Sequence, residues 1–537
     1  MEPQPKGKSA GRAHLFLAGI TAAVLAPFLN KAFHIDDPLF IWIGQHITRH
    51  PLDPYGFDVN WVSVVQPMSV VMQNPPLCSF YIAAVGSVFG WSEIALHSAF
   101  LIPAILVVLG TFAVARQFLV RSFWAALLTL FTPVFLVSAT GVMCDVMMLA
   151  FWLWAVAFWL VASARKSSAL FVTSAALICA ATFTKYFGVA LVPLLAVYTL
   201  MRERRVRAEL LCLLIPVLLL VVYDLLTADR YEHGLFSGAT LVSSSISSVR
   251  PQSYPTQVMI GLAFTGGCVA TLAFFLHFRR KVVALGIATA LVSAIAFKLL
   301  LNRSSFGAQP AVWIEGAIFS AIALLIIAAS VSNFVSRKTP EALLLALWIA
   351  GTFCFAAFLN WSITARTILP LAPAVAILVV QFSELMPRSA RLEIVAVVAI
   401  ATLSLLIAAS DFLQANSARA ASRSFQQRYG GEAERVHFLG HWGFQYYMEG
   451  WGAKPFDRRK GTLTSGDILV WPDGDRIAAA MSLNESVAED RLVFRSLPFI
   501  SAFAFTTGAG FYTSFVGPLP WVMNGIPPER YYALRVR

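Results

Sequence analysis

Charge is what this sequence has least of. Asp, Glu, Lys and Arg make up 13% of its 537 residues, about half the share of an average soluble domain. A soluble chain of this length folds as roughly three or four domains, each with a charged surface. The charges for that are missing. Paired cysteines are missing too. Cys78, Cys144, Cys179, Cys212, Cys268 and Cys354 form no Cys-x-x-Cys and lie mostly in apolar runs, where a free thiol behaves as a small hydrophobe. This excludes a disulfide scaffold and a cysteine zinc site. No internal repeat, low-complexity stretch or long Lys/Arg run occurs. The net charge of +12 is therefore no nucleic-acid tail.

What is present is apolar surface. Hydrophobic residues reach 58% and the mean hydropathy is +0.72, which indicates a polytopic α-helical membrane protein. A span needs about 20 apolar residues. The runs predict thirteen, at 14–31, 94–115, 122–138, 146–164, 169–184, 186–201, 208–227, 257–278, 282–301, 311–334, 341–360, 364–382 and 392–412. The fifth and sixth are short, and Lys185 between them, with Pro193 beyond, marks a break. Lys6, Lys8 and Arg12 precede the apolar run 15–29, and no small-residue cleavage site follows, so an uncleaved first span is expected.

The loops set the orientation. With the N-terminus in the cytoplasm, Arg116/Arg121, Arg165/Lys166, Arg202/Arg204/Arg205/Arg207, Arg279/Arg280/Lys281, Arg337/Lys338 and Arg388/Arg391 all fall inside. The opposite loops carry only Lys31, Arg49, Lys185, Arg230, Arg250, Arg303 and Arg366. This is the positive-inside asymmetry. It predicts a membrane module over 1–412 and an outer α/β domain over 413–537. In that tail 435–439 and 467–471 read as strands, and 441–449 has helical spacing of aromatics. The long outer loop 32–93 holds two apolar stretches, 38–43 and 76–85, too short to span and suited to interfacial or re-entrant helices.

Acids beside apolar runs need a reason, because a charge at membrane depth costs about 2.5–3.5 kcal/mol on insertion scales. Asp36 and Asp37, in His34-Ile35-Asp36-Asp37-Pro38, open the long outer loop. Asp37 suits the cap of a helix whose first residue is Pro38, which explains one acid and not both. Adjacent carboxylates repel, which favours a cation nearby. Asp145 ends a short loop on the same side and also suits an N-cap. Lys185, at the break, and Arg366, opening the twelfth span, could each hold an anionic head group or merely reach the interface. Asp224, Lys298 and Glu315 read as inter-helix polar groups. Acids and bases thus gather at one outer face beside an amphipathic loop, an arrangement suited to chemistry on a lipid-linked anion.

These residues resemble the GT-C class of membrane glycosyltransferases, and more closely the bacterial relatives of protein O-mannosyltransferases and of the lipid A aminoarabinose transferase. The resemblance rests on Asp36-Asp37 in the first outer loop, Asn74-Pro75-Pro76-Leu77, Asp145 before a span, Thr184-Lys185-Tyr186 with Val192-Pro193, and the run from Arg366 to Pro373. It covers about 1–385. The sequence departs from the family at Asp37, where Glu is usual, and at Asn74, His97 and Thr367.

The resemblance implies an enzyme that moves a sugar from a polyprenyl-phosphate donor to a lipid, protein or glycan acceptor, with inversion. Asp36 is then the general base, Asp37 and Asp145 share the catalytic site, and Lys185, Arg366 and Asn74 bind substrate. Three carboxylates also suit a divalent cation, but the relatives generally do without one, so no metal or other cofactor is expected. The expected partners are donor, acceptor and membrane lipids, with no nucleic acid. The expected place is the inner (plasma) membrane, with the tail periplasmic. A multi-pass transporter of a small or lipid-linked solute is the main alternative. Against it stand the lack of an inverted repeat and the placing of the charges at one face.

Overall fold

The structure, a computed structural model, describes all residues except 1–7, 250–252, 277–279, 303, 305, 387, 388 and 462. Lys6, Arg250, Arg279, Arg303 and Arg388, and the end of the expected 257–278 span, lie outside the described residues.

The chain is a multi-helix membrane protein. Among the described residues, ten helices are long and apolar enough to cross a bilayer, and each coincides with an expected span. The other three expected spans are shorter or broken. The 122–138 run is two helices, Ser122–Leu130 and Pro133–Ser138. The 364–382 run is also two, Ala365–Ile368 and Leu371–Leu385. In each the break falls at a proline, Pro133 or Pro370, which has no N–H to continue the ladder. The Ser168–Thr184 helix is a single short piece. It ends where the sequence placed the break, because Lys185 is extended (φ −153°, ψ 130°). The turn after it needs Gly188, since a Cβ there would lie 2.4 Å from the backbone of Ala181.

The long outer loop folds as expected into two short helices, Asp37–Ile47 and Leu77–Phe89. They meet where Gly44 faces Ser79 and Ile82. Between them lies a hairpin of β1 (Asp58–Trp61) and β2 (Val64–Pro67), with Val59 opposite Gln66. One helix was not foreseen. Leu235–Val249 follows the seventh span, and the Asp224 carboxylate caps it by accepting the N–H groups of Phe236 and Ser237, both at 2.9 Å.

The Ala390–Tyr429 helix has 40 residues, about 60 Å at 1.5 Å per residue, twice the hydrocarbon thickness. The boundary expected at 412/413 falls inside it. Nothing in its Ala-, Gln- and Arg-rich second half breaks a helix, so it leaves the bundle as a post for the tail. Against that post lies a five-stranded sheet, ordered β4 (Lys454–Pro455), β3 (Val436–Phe438), β5 (Ile468–Pro472), β9 (Glu529–Arg535), β6 (Asp490–Phe494). Its β3 pairs parallel with both β4 and β5, and β9 pairs antiparallel with β5 and β6. The Trp442–Glu449 helix follows β3. Not all of the tail stays with this sheet. Ile500, Phe503, Tyr512, Trp521 and Val522 belong to the same apolar core as the spans. They flank β7 (Phe503–Ala504) and β8 (Ala509–Gly510), which pair antiparallel.

Candidate active site

One end of the bundle brings together most of the acids and bases that the sequence singled out. The first span ends in a short 3₁₀ turn, Ala26–Phe28, and the chain then runs to Ile35. Ile35 adopts φ +51° while 2% exposed. A β-branched residue in the left-handed region stores strain of about 1–3 kcal/mol, and here the strained residue lies directly before the two acids. Those acids have separate partners. Asp36 pairs with Arg366, its Oδ2 2.9 Å from Nη2, and keeps 29% of its side chain exposed. Asp37 is fully buried, and its two oxygens accept the N–H groups of His34 and Val142, each at 2.8 Å.

The expected cap is therefore corrected. The helix starts at Asp37 itself, Asp36 occupies the cap position without a side-chain cap bond, and Asp37 joins the first outer loop to the second. Asp145 is corrected in the same way. Met143 holds the cap position, and Asp145 lies in the first turn of Cys144–Arg165. Each acid is taken up by partners outside its own helix, Asp37 by the N–H groups of His34 and Val142 and Asp145 by Lys185 and Arg366.

Asp145 is buried between two cations. Its Oδ1 lies 2.5 Å from Lys185 Nζ, and its Oδ2 lies 3.9 Å from Arg366 Nη1. Arg366 thus bridges Asp36 and Asp145, and its guanidinium stands 5.5 Å over the Tyr512 ring. Four of the six expected residues, Asp36, Asp145, Lys185 and Arg366, form one chain of contacts. Asp37 stands behind it. Asn74 is not joined to it: its carbonyl accepts from the Tyr55 hydroxyl at 2.8 Å, and its amide reaches Met72.

Sequence reasoning passed over a second buried cluster. Lys31 pairs with Asp411 and donates to Thr140 Oγ1 at 3.0 Å. The Tyr512 hydroxyl donates to Asp411 at 3.0 Å, and His34 Nε2 lies 3.7 Å from Asp411. This ties the first span, the second outer loop, the long post and the tail into one point beside the acids. Asp411 carried a legible signal, an acid inside an apolar run, the same signal that singled out Asp145. Lys31 was read only as one of the few outer-side charges. Tyr512, some hundred residues away in a polar tail, carried none. Of the weaker candidates, Asp224 is a helix cap, Glu315 accepts the N–H of Met523 at 3.0 Å, and Lys298 lies 5.9 Å over Trp313.

Burial makes His34 and Asp37 oppose each other in pH. Desolvation lowers His34 from 6.5 to about 4, against the pull of Asp411. Desolvation raises Asp37 from 3.8 to about 7, against Lys31 and its two backbone donors. The folded state therefore binds fewer protons at His34 than the unfolded chain between about 4 and 6.5, so that group makes stability rise with pH. It binds more protons at Asp37 between about 3.8 and 7, so that group makes stability fall with pH. In the wild type the two slopes largely cancel below 6.5. Thermal melts from pH 5 to 7 should then show Asp37→Asn gaining stability with rising pH and His34→Gln losing it. Parallel profiles for the two variants contradict this assignment.

The three carboxylates do not converge on a cation site. Asp37 is spent on backbone donors and Asp145 on Lys185 and Arg366. Among the described residues, no group of three or more His, Cys, Asp or Glu side chains is placed to hold a metal ion. The residues present do not fit a divalent metal, and no step below runs through one.

Residues 73–226 match the family model described as dolichyl-phosphate-mannose-protein mannosyltransferase. The stretch contains Asn74, Asp145 and Lys185, is less than half of the chain, and leaves out Asp36, Asp37 and Arg366. No curated protein matches the chain. Among solved structures, it is similar to the Archaeoglobus fulgidus oligosaccharyltransferase tethered to an acceptor peptide, at 14% identity and TM-score 0.48, over 82% of this chain and 63% of that one. It is similar to ArnT from Cupriavidus metallidurans bound to undecaprenyl phosphate, at 14% identity and TM-score 0.45, over 90% and 96%. It is similar to the arabinofuranosyltransferase AftD from Mycobacteria, at 12% identity and TM-score 0.39, over 98% and 40%. The chain thus spans less than two thirds of the length of the oligosaccharyltransferase. In sequence, over 73–226, it resembles the GT-C class of membrane glycosyltransferases, the class to which its motifs pointed.

Proposed function

We propose that this protein is a membrane glycosyltransferase. It moves a sugar from a polyprenyl-phosphate donor to an acceptor hydroxyl at the outer face of the inner membrane. The observation that carries this is the contact chain Asp36–Arg366–Asp145–Lys185 at one end of the bundle. It puts one partly exposed carboxylate beside Arg366, with Lys185 joined to that cation through Asp145, which suits displacement of a phosphate by a hydroxyl. The family match over 73–226 supports the class, and the dolichyl phosphate in that family's name supports a lipid-phosphate donor.

In this reading Asp36 takes the proton of the acceptor hydroxyl as its oxygen bonds to the anomeric carbon. The bond from that carbon to the phosphate oxygen breaks, and polyprenyl phosphate leaves. Base and leaving group stand on opposite faces of the sugar, so the configuration inverts. Arg366 and Lys185 stabilise the charge that grows on the phosphate. The Arg366 guanidinium, turned toward donor phosphate, releases Asp36 to act as base. Asp145 holds both cations in place, and Asp37 positions Asp36 by fixing the loop behind it. Asn74 is assigned to substrate binding from the motif. The sheet and its helices form the extracytoplasmic domain, on the periplasmic side.

The test is incubation of the purified protein with a set of polyprenyl-phosphate sugars, following donor loss by mass spectrometry. Loss that disappears in Asp36→Ala supports the reading and names the sugar. No loss with any donor, alongside thermal shifts from soluble solutes, moves the assignment to a transporter. Lys185→Ala should raise the donor KM by about ten- to a hundredfold, the scale of a lost charge-assisted contact. An unchanged KM removes Lys185 from the donor site.

A further inference from the structure

A second site lies at the far end of the helix that starts beside Asp36. A cleft of about 650 Å³ opens between the C-terminal end of Asp37–Ile47, the β1 strand and the tail. Its size is that of a small-molecule site. Three aromatic rings line it, Trp42, Phe57 and Trp91. They are held firmly. Trp42 meets Trp61 edge-on at 6.2 Å and Tyr446 at 6.1 Å. The Trp91 ring lies so close to Gly86 that a Cβ there would stand 2.7 Å from it. His46 packs against Phe57 and stacks on His50, each at 4.7 Å.

Hydrogen-bonding groups share the lining with the rings, the amides of Gln45 and Asn60 and the carboxylate of Glu449 among them. Gln45 and Asn60 each carry a donor and an acceptor on one side chain, which suits a ligand rich in hydroxyls. The charges are mixed, Arg49 against Asp58 and Glu449, which gives no preference for a strong anion. A peptide added as a strand needs a free edge. Here the backbone carbonyl of Asn60 already accepts from Gln445 Nε2 at 2.6 Å, and its side-chain amide donates to the carbonyls of Pro455 and Phe456 at 3.4 Å.

We propose that this cleft binds the non-reacting rings of a neutral oligosaccharide acceptor, which stack on Trp42 and Trp91 while the reacting hydroxyl lies at Asp36. The inference rests on the transfer reading above and names its acceptor class. The helix between the two sites has 11 residues, about 16 Å at 1.5 Å per residue. An acceptor that fills the cleft and still reaches Asp36 must therefore be several rings long, and a monosaccharide must be a poor acceptor.

The test is binding of the purified full chain, in lipid nanodiscs, to an array of defined neutral oligosaccharides, anionic oligosaccharides and peptides. The expected result is retention of neutral glycans of three or more rings. That retention should weaken at least about fivefold in Trp91→Ala, the scale of one lost aromatic contact. It should weaken likewise in Thr48→Trp, an exposed rim position where the added ring fills the cleft without touching the core. Retention of peptides or anionic glycans instead, or of nothing, overturns the proposal, as does neutral-glycan binding that Thr48→Trp leaves unchanged. Donor loss without array binding sinks the cleft alone. Array binding without donor loss sinks the transfer reading alone.

Discussion

Asp36→Asn should lower sugar transfer by about 10²–10⁴-fold, the scale of a lost general base, with a melting temperature close to that of the wild type. The geometry separates these two readouts. Asp36 is 29% exposed in its side chain and makes one ion pair, to Arg366. Asparagine keeps an oxygen for that guanidinium, and Asp145 remains beside it. Little folding energy is therefore at stake, while the proton acceptor is gone. The neighbouring acid behaves in the opposite way. Asp37→Ala leaves the buried N–H groups of His34 and Val142 without partners, at about 1–3 kcal/mol each. Its first effect should be on stability, with transfer lost as the loop loosens. Thermal unfolding and transfer measured on the same two preparations decide between the roles. Near-normal transfer by Asp36→Asn removes it as the base.

The second large effect is expected at Lys31 and Asp411. Their side chains are 1% and 0% exposed. Removing one partner strands the other charge in the bundle, which costs about 3–5 kcal/mol out of a typical total of about 5–15. Lys31→Ala or Asp411→Ala should fail to yield folded protein or should melt far below the wild type. The double variant Lys31→Met/Asp411→Leu should recover most of that loss, because an apolar pair of similar size avoids both desolvation penalties. It still leaves the buried Tyr512 hydroxyl without its acceptor, so the melting temperature should stay somewhat below that of the wild type. If the single variants melt like the wild type, this pair does not lock the tail to the bundle.

Much of the architecture was legible because a bilayer asks a simple question of each segment. Apolar length answered it for the ten long helices. The failures have local causes. Pro133 and Pro370 split runs whose composition alone reads as continuous. The Ser-rich helix Leu235–Val249 lacks the hydropathy of a span and was read as loop. Of the tail strands only Val436–Phe438 and Ile468–Pro472 were expected, and the tail's return to the bundle was not, since Phe511 and Ser514 join Ala365 and Ile363 through backbone bonds that any sequence can make.

The sequence by itself determined that this is a multi-span membrane protein, where its long first loop and the loop before Asp145 lie, and which acids and bases stand beside them. Those follow from transfer energies, which each segment carries on its own. Only the tertiary structure decided how the pairs divide. It gave Asp36 to Arg366 and Asp37 to the backbone, shared Asp145 between Lys185 and Arg366, and set Asp411 and Tyr512 behind them. Which charge meets which depends on helices that touch across hundreds of residues, and no local energy in the chain encodes that choice.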